Sequence, residues 1–418
     1  MKGIVFSYFF PPLNSSEGNV TFKLINASKY DYEVFYQNQS DLWSYGKNIF
    51  LRSDRIKVIP SNTSDLEGFR DKGIALFSND KMAEYGFMMS RSMPLESHQI
   101  ALAIKKRNSN KFWLASFGDP IANNPYEKFA YEYTCRPSIR SLRGIKLNIK
   151  HQLMKTAYKK KNQGHIMLQN EIFSLAEKLI FNSEHQCRYM LGERYDELIH
   201  KALILPHPYD LNLYKSRYEE IVGIPENSNF QDSRIKILFA GHTDDIRSLR
   251  YFLQALESQK EYFKDKLQFT ILGNLPQSER DYISLHDLSS LIVYGKQVSY
   301  EKSLLEMRDA DLLVHVDAEF PPEVLQENIF FAAKISDYLG SGTKIVGLTS
   351  GGISKNILTE TGQYCLTNNK VIIANFLYDV TTGKVDLSKN PNPPAKYNSV
   401  NIAKIYDDVL DKEIKGES

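Results

Sequence analysis

The stretch FFAAKISDYLGSGTKIVGL (residues 330–348) joins a short amphipathic segment, a glycine turn and an apolar run. Phe331, Ile335, Tyr338 and Leu339 fall at helical spacing and form the expected buried stripe. Lys334, Asp337 and Ser341 lie on the opposite face at three- and four-residue steps. Gly340 and Gly342 are expected to stop the helix, and KIVGL then reads as a buried strand. Taken alone, this is any helix–strand unit with a solvated polar face. Its weight depends on whether the rest of the chain repeats the unit.

It does so twice. In the first half, GIVFS (3–7), YEVFY (32–36), IKVI (56–59), GIALFS (73–78), QIALAI (99–104), KFWLASF (111–117) and KLIFNS (178–183) read as strands. Helical patterns such as VTFKLINAS (20–28) separate some of them. Continuous apolar runs fit parallel strands buried on both faces. ALILPHPYD (202–210) reads as a strand entering a turn, and the polar residues 211–233 as a linker or surface excursion. A second series follows with RIKILFAG (234–241), a helix over 246–256, LQFTILG (267–273), LIVYG (291–295), ADLLVHV (310–316) and KIVGL (344–348). VNIAKIYDDVLDK (400–412) reads as a terminal amphipathic helix. The predicted fold class is α/β, with two consecutive Rossmann-like doubly wound domains, 1–210 and 211–399, facing a cleft. Ligands of such sheets bind at the carboxyl ends of the strands, so that cleft is the expected site.

Composition agrees with two folded domains. The chain has 418 residues, more than one core comfortably serves, with 42% hydrophobic and 24% charged residues. Cys135, Cys187 and Cys365 are odd in number and lack metal-ligand spacing, which points to a reducing compartment and no structural metal. MKGIVFSYFF is too short for an export signal and ends at Pro11-Pro12, and no run approaches the roughly 20 apolar residues of a membrane span. A cytoplasmic location is expected, with peripheral attachment at the inner face of the cell membrane left open.

Four stretches carry candidate chemistry. In FFPPLNSSEGNV (9–20), Gly18 lies near a helix start, where backbone N–H groups suit phosphate or a hydroxyl. The plainer reading is an ordinary strand–helix loop. In FAGHTDDIRSLRYFLQAL (239–256), Gly241 and His242 form the turn, and Arg247 and Arg250 fall in the first helical turns, placed for a diphosphate. Surface arginines are the alternative. Lys334 is suited to phosphate and Asp337 to ribose hydroxyls, against a simple salt bridge. Asp309-Ala-Asp311 resembles a metal-binding D-x-D, but directly before LLVHV such carboxylates more often end a helix or open a strand. No nucleophile elbow or H-E-x-x-H is present, so hydrolase and metalloprotease readings lack support. Finally, residues 133–170 contain no Asp or Glu but carry Arg140, Arg143, Lys159, Lys160 and Lys161 among apolar residues. Such a segment suits an anionic membrane surface or is a solvated basic helix; no nucleic-acid module accompanies it.

Together these stretches resemble the GT-B glycosyltransferases, in particular the family four group. FFPPLNSSEGNV is similar to that family's F-P-P…G loop, WLASFGDP (113–120) to its strand ending in D-P, and LPHPYD (205–210) to its I-P-N-G-V-D crossing. LIFNSEHQCRYM (179–190) is similar to its strand and helix start with a serine–glutamate pair. FAGHTDDIRSLRYFLQAL resembles the F-V-G-R…K-G block, and KISDYLGSGTKIVGL the K-L-F-E-Y-L-A-x-G-K-P-V segment. The resemblance implies a hexosyltransferase-type enzyme using a nucleotide-sugar donor, with retention and without a required metal or cofactor. It implies an acceptor domain first, a donor domain second, and the terminal segment 400–418 packing back on the first. Gly18, Gly241, His242, Arg247 and Lys334 are then donor-side residues, Asp337 the ribose carboxylate and Asp119 the group that polarises the acceptor. Asp119 and Arg247 are the catalytic candidates. The family's first glutamate of E-x7-E is replaced here by Ile329, which supports the alternative of a catalytically silent subunit that binds glycan or stabilises a partner transferase. A glycan or lipid-linked acceptor in bacterial surface polysaccharide (capsule) synthesis fits the resemblance.

Overall fold

The computed structural model describes residues 1–38, 53–132, 142–215, 233–295 and 298–416. Most of the polar excursion, residues 216–232, lies outside the described residues, as does Arg140.

The first domain is built on β1 (Lys2–Phe6), β2 (Asp31–Tyr36), β3 (Ile56–Pro60), β4 (Phe87–Arg91), β5 (Phe112–Ser116), β6 (Lys178–Phe181) and β7 (Ala202–Ile204). All pair in parallel in the order β3-β2-β1-β4-β5-β6-β7. The second sheet holds β8 (Ile235–Ala240), β9 (Leu267–Leu272), β10 (Ile292–Gly295), β11 (Leu312–Val316), β12 (Lys344–Leu348) and β13 (Tyr364–Leu366). Its order is β10-β9-β8-β11-β12-β13, again parallel. Strand order reverses between β1 and β4 in one sheet and between β8 and β11 in the other. A crevice opens where neighbouring connections leave in opposite directions, so the loops after these four strands are where a ligand fits.

Three sequence expectations are corrected. Residues 73–78 and 99–104 are not strands: 73–76 end the helix Leu66–Leu76, Phe77 caps it, and 99–104 belong to the helix Glu96–Arg107. QIALAI is a short apolar run, and such runs do not separate a buried helix from a buried strand by periodicity. Here Ile100, Ala101 and Ile104 are completely buried, at helical spacing, with Leu102 nearly so. The strand that occupies the sheet instead is FMMSR, buried along its whole length although methionine is no strong strand former. Third, the helix after β8 begins at Arg250 rather than at Ile246, which leaves Arg247 in a turn. The strand Tyr364–Leu366 at the sheet edge also escaped the sequence reading.

The helix Ala333–Ser341 shows why the opening stretch matters. Phe331, Ile335, Tyr338 and Leu339 are buried, and Gly342 ends the helix at φ 74°, a left-handed conformation that glycine adopts without strain. Gly340 does not stop the helix. It lies inside it, where a Cβ would stand 2.6 Å from Tyr209 Cβ, so it lets the segment joining the domains press against the helix. Beyond the second sheet the chain crosses back: Tyr209 and Ser399 exchange backbone bonds with Tyr397 and Tyr209. The helix Ser399–Leu410 then packs on Ser16–Ala27, with Asp407 accepting from the Ser28 hydroxyl at 2.6 Å and the Lys29 amide at 2.9 Å.

Candidate functional site

On the first-domain wall, the loop after β1 leads into the helix Ser16–Ala27. Ser15 is extended, and its hydroxyl accepts from the Gly18 amide at 3.0 Å, an N-cap that starts the helix there. Ser16, Glu17, Asn19, Val20 and Lys23 line the cleft. Gly18 faces the other way: a Cβ there would stand 3.0 Å from Phe10 Cα. Glu17 accepts from Arg91 Nε at 2.5 Å, and Arg91 also donates to the Ser116 hydroxyl at 2.9 Å. Gly118 sits tight against this pair and is held by Ser92, Asn182 and Gln186. That rigid anchor presents Asp119 to the cleft. Burial, and then the Glu17 carboxylate, push its carboxyl up to about 7, against the pull of Arg91 and Arg247.

On the second-domain wall, β8 ends at the Gly241 turn. Gly241 (φ 154°) donates to the Leu272 carbonyl at 2.7 Å, and Gly273 (φ 141°) has its missing Cβ position 1.8 Å from the Gly241 oxygen. The Lys334 ammonium occupies the space a Gly241 side chain would need, 1.7 Å from that Cβ position. Two glycines are therefore required where two strand ends and one lysine converge. Lys334 stands in the first turn of Ala333–Ser341, 4.7 Å over the Phe239 ring, and its ammonium makes no hydrogen bond or ion pair with a described residue. Burial first, then Arg247, push it down to about 7, with Asp337 opposing.

Arg247 is placed by a buried anchor. Glu279 accepts from the Thr243 and Ser248 hydroxyls and the Leu249 amide, while Asp244 accepts from the Ile246 and Arg247 amides. From that turn the guanidinium donates to the Tyr126 hydroxyl of the first domain at 2.6 Å. His242 accepts from the Asn274 amide through Nδ1, and burial with Lys334 and Arg247 lowers its pKa, so it is neutral at pH 7. Arg250, by contrast, stacks on Tyr282 at 3.7 Å in its own domain, outside the cleft lining.

Asp337 is not on a solvated face. It is 7% exposed and accepts from Lys23 Nζ at 2.7 Å and the Tyr300 hydroxyl at 2.9 Å. Lys23 is 1% exposed, so this ion pair joins the two domains in a dry setting.

The cleft has two chambers that share Ser16, Val20, Gly241, His242, Ala333 and Lys334. The narrower, about 180 Å³, reaches Asn14, Lys23, Tyr300 and Asp337. The wider, about 420 Å³, reaches Glu17, Asp119, Tyr126, Arg247, Asp317 and Asn328. The structure thus brings Asp119, Gly241, His242, Arg247, Lys334 and Asp337 to one cleft, with Gly18 behind its wall. Ile329 is buried with Val324 and Leu325 in a small apolar cluster, beside Phe320 and Phe330.

Lys23, Glu17, Tyr300 and Asp317 are cleft residues that the sequence reading missed. Asp317 had a usable signal, because it follows the central strand β11 at the switch point. Lys23 had none, since a lysine inside VTFKLIN reads as a helix-surface residue.

Elsewhere, Asp309 is the last residue of the helix Tyr300–Asp309 and Asp311 accepts from the Lys236 amide at 2.8 Å. Among the described residues no group of His, Cys, Asp or Glu is arranged to hold a metal. Lys159, Lys160 and Lys161 lie on the helix Leu142–Leu175, with Lys159 and Lys160 exposed and Lys161 paired to Glu127 at 2.7 Å. Arg143 is on the same helix. No helix among the described residues is long and apolar enough to cross a membrane.

No protein-family model and no curated protein sequence matches the chain. Solved structures do match. A sucrose-phosphate synthase from Thermosynechococcus elongatus superposes with a TM-score of 0.67 at 12% identity, covering 100% of both chains. HepE from Anabaena, solved with UDP-glucose, gives 0.64 at 13%, covering 99% of this chain and 100% of that one. A UDP-N-acetylglucosamine 2-epimerase gives 0.56 at 10%, covering 98% and 95%. At such identities the likeness shows the fold: two Rossmann-like domains facing a cleft, the GT-B arrangement.

Proposed function

We propose that this protein is a glycosyltransferase that takes a sugar from a nucleoside-diphosphate donor, with a UDP-sugar the first candidate because HepE was solved with UDP-glucose. The observation that carries the reading is Lys334, which has no hydrogen bond or ion pair with a described residue and lies beside the Gly241 turn, with Arg247 on the same wall in the wider chamber. A lone cation in a dry wall is unfavourable until an anion arrives, and a diphosphate supplies two charges and several acceptor oxygens.

In this reading the narrower chamber takes the nucleoside, with Asp337 beside the ribose. The diphosphate lies at the chamber junction, against Lys334 and Arg247. Transfer with retention needs the departing diphosphate neutralised and the acceptor hydroxyl oriented, and in this reading the two basic groups do the first and Asp119 the second. The family four likeness, an acceptor that is a glycan or lipid-linked sugar, a role in surface polysaccharide synthesis and docking of the basic helix on an anionic membrane belong to the same proposal. Co-sedimentation with anionic liposomes, lost when Lys159 and Lys160 are neutralised, tests the last of these.

Two other readings have a specific observation each. Ile329 in its apolar cluster favours a silent subunit, and the matching epimerase shows that the fold also serves sugar-nucleotide epimerisation. Thermal melting against UDP, GDP, ADP and CMP and their sugars tests donor binding: a ligand at about a hundred times its Kd adds ~2.7 kcal/mol. A folded sample that shifts with none of them sinks the transferase reading. Chromatography of the sugar nucleotide after incubation without acceptor separates the epimerase, which changes the sugar while leaving it on the nucleotide.

A further inference from the structure

Asp317 follows β11 directly, and its amide donates to the Leu348 carbonyl at 3.0 Å, so its backbone is fixed by the sheet. Its side chain is equally constrained. Oδ1 accepts from the Ser354 hydroxyl at 2.8 Å and meets His315 Nε2 at 3.0 Å. A carboxylate has no proton to give, so the imidazole N–H is the donor. The residue is 4% exposed, and Oδ2 is buried without a hydrogen-bond partner among the described residues. Yet Asp317 lines the wider chamber, together with Asp119, Arg247 and Lys334.

A buried carboxylate oxygen left without a donor is destabilising, so its place in a chamber wall calls for a ligand that brings one. A cation would need more ligands than this wall supplies, because no metal-holding cluster exists among the described residues. A neutral hydroxyl needs only one acceptor. The helix start that carries Ser354 also holds another lining residue: the Asn328 carbonyl accepts from the Ile353 amide at 2.9 Å, and Gly352 (φ 76°) leaves room for it, its Cβ position being 2.1 Å from the Asn328 oxygen. The residue at 329 cannot serve, because Ile329 is packed into the apolar cluster.

We infer that Asp317 receives a hydroxyl of a sugar ring in the wider chamber, held in place by His315 and Ser354. This rests on the glycosyltransferase reading and adds a specificity residue to it. The ring belongs either to the donor or to the acceptor, and the hydroxyl chemistry is the same for both.

Calorimetry with UDP-glucose, UDP-galactose, UDP-N-acetylglucosamine and GDP-mannose, each beside its bare nucleoside diphosphate, tests the assignment in wild type and Asp317→Asn. Asparagine keeps an acceptor for Ser354 and His315 but turns the open acceptor into a donor. A donor ring predicts that the variant loses the extra affinity of the sugar nucleotide by about tenfold while the bare nucleotide binds as before. An acceptor ring predicts an unchanged ratio, with binding of free monosaccharides at saturating UDP, read by saturation-transfer NMR, lost in the variant. Equal loss for sugar nucleotide and bare nucleotide, or no change in either arm, overturns the inference. Failure of the wild type to bind any nucleotide removes the glycosyltransferase reading and this assignment with it. Should Asp317→Asn not fold, wild type with deoxy analogues of the bound sugar decides: one hydroxyl whose removal weakens binding about tenfold supports the contact, and a flat series refutes it.

Discussion

On the first-domain wall of the cleft, Glu17 is bound to Arg91, Lys23 reaches across to Asp337, and burial raises the Asp119 carboxyl to about 7, so only part of it is charged at neutral pH. On the second-domain wall, Lys334 lies over the Phe239 ring without a hydrogen bond or ion pair to a described residue, and Arg247 makes a neutral hydrogen bond across the cleft to Tyr126. On one wall the charged groups are paired or partly neutralised, while on the other the two basic groups have no carboxylate partner among the described residues. That difference is the ground for proposing an anion site beside Lys334 and Arg247. Asp337, three residues from Lys334 on the same helix, belongs to the satisfied set, because a residue 314 positions away neutralises it.

The sharpest way to break this contrast is to unpair the satisfied side. Lys23→Met leaves the Asp337 carboxylate buried without its cation, and urea unfolding should show a loss of about 3–5 kcal/mol. Lys23→Met with Asp337→Leu should recover most of it, since an apolar pair needs no partner. A loss below about 1 kcal/mol in the single variant means that the pair is solvated and the two walls differ less than described.

Removing a reserved cation should act on binding instead. Lys334→Ala is expected to weaken UDP by about 1.5–3 kcal/mol in calorimetry, the range of a charge-assisted hydrogen bond, while the unliganded protein melts no lower. A fall in melting temperature without loss of binding gives Lys334 a structural role.

Acidity sharpens the same comparison. The Lys334 ammonium is lost as pH rises through about 7, so diphosphate affinity should fall above that point. Binding at pH 8 should then take up a proton, visible as an enthalpy that varies with the buffer's ionisation heat. Asp119 titrates near the same value but gains its charge as pH rises. Transfer that uses both charged forms has a bell-shaped profile near pH 7, and Asp119→Asn should remove its acid limb. For stability the sign is the reverse. A folded pKa raised above the ordinary carboxylate value means that Asp119 contributes less as pH climbs from about 4 to 7, and Asp119→Asn should flatten that slope. An unchanged slope places the carboxyl in water.

The smallest effect is the control. Arg250→Ala removes a stacked surface arginine and should change stability by less than about 1 kcal/mol, with UDP affinity unchanged. Arg247→Ala, three positions earlier, should weaken UDP by about tenfold or more. Equal behaviour of the two returns both to the surface.

Much of the frame was legible because it rests on local pattern. Apolar runs bounded by turns marked most strands, and the stripe Phe331–Ile335–Tyr338–Leu339 marked the helix that carries Lys334. The reading failed where two local patterns share a signature. GIALFS and QIALAI are apolar runs whose helical state is settled by packing: in the structure Gly73 is pressed against Ile100 and Phe35. It failed again at Asp317, because a search for a glutamate at fixed spacing from Asp337 passed over the first residue after β11.

By itself the sequence determined the two βα series, the glycine turns at 241 and 342, and the order in which candidate residues reach the strand ends, since each depends on neighbours a few residues apart. The charge of the cleft, in contrast, is set only once the chain has folded. Whether a carboxylate is paired, protonated or waiting depends on which groups stand within a few ångströms after folding and how much water remains. Lys23 against Asp337, Glu17 against Asp119 and the buried, unpartnered oxygen of Asp317 are all set by such encounters between distant parts of the chain.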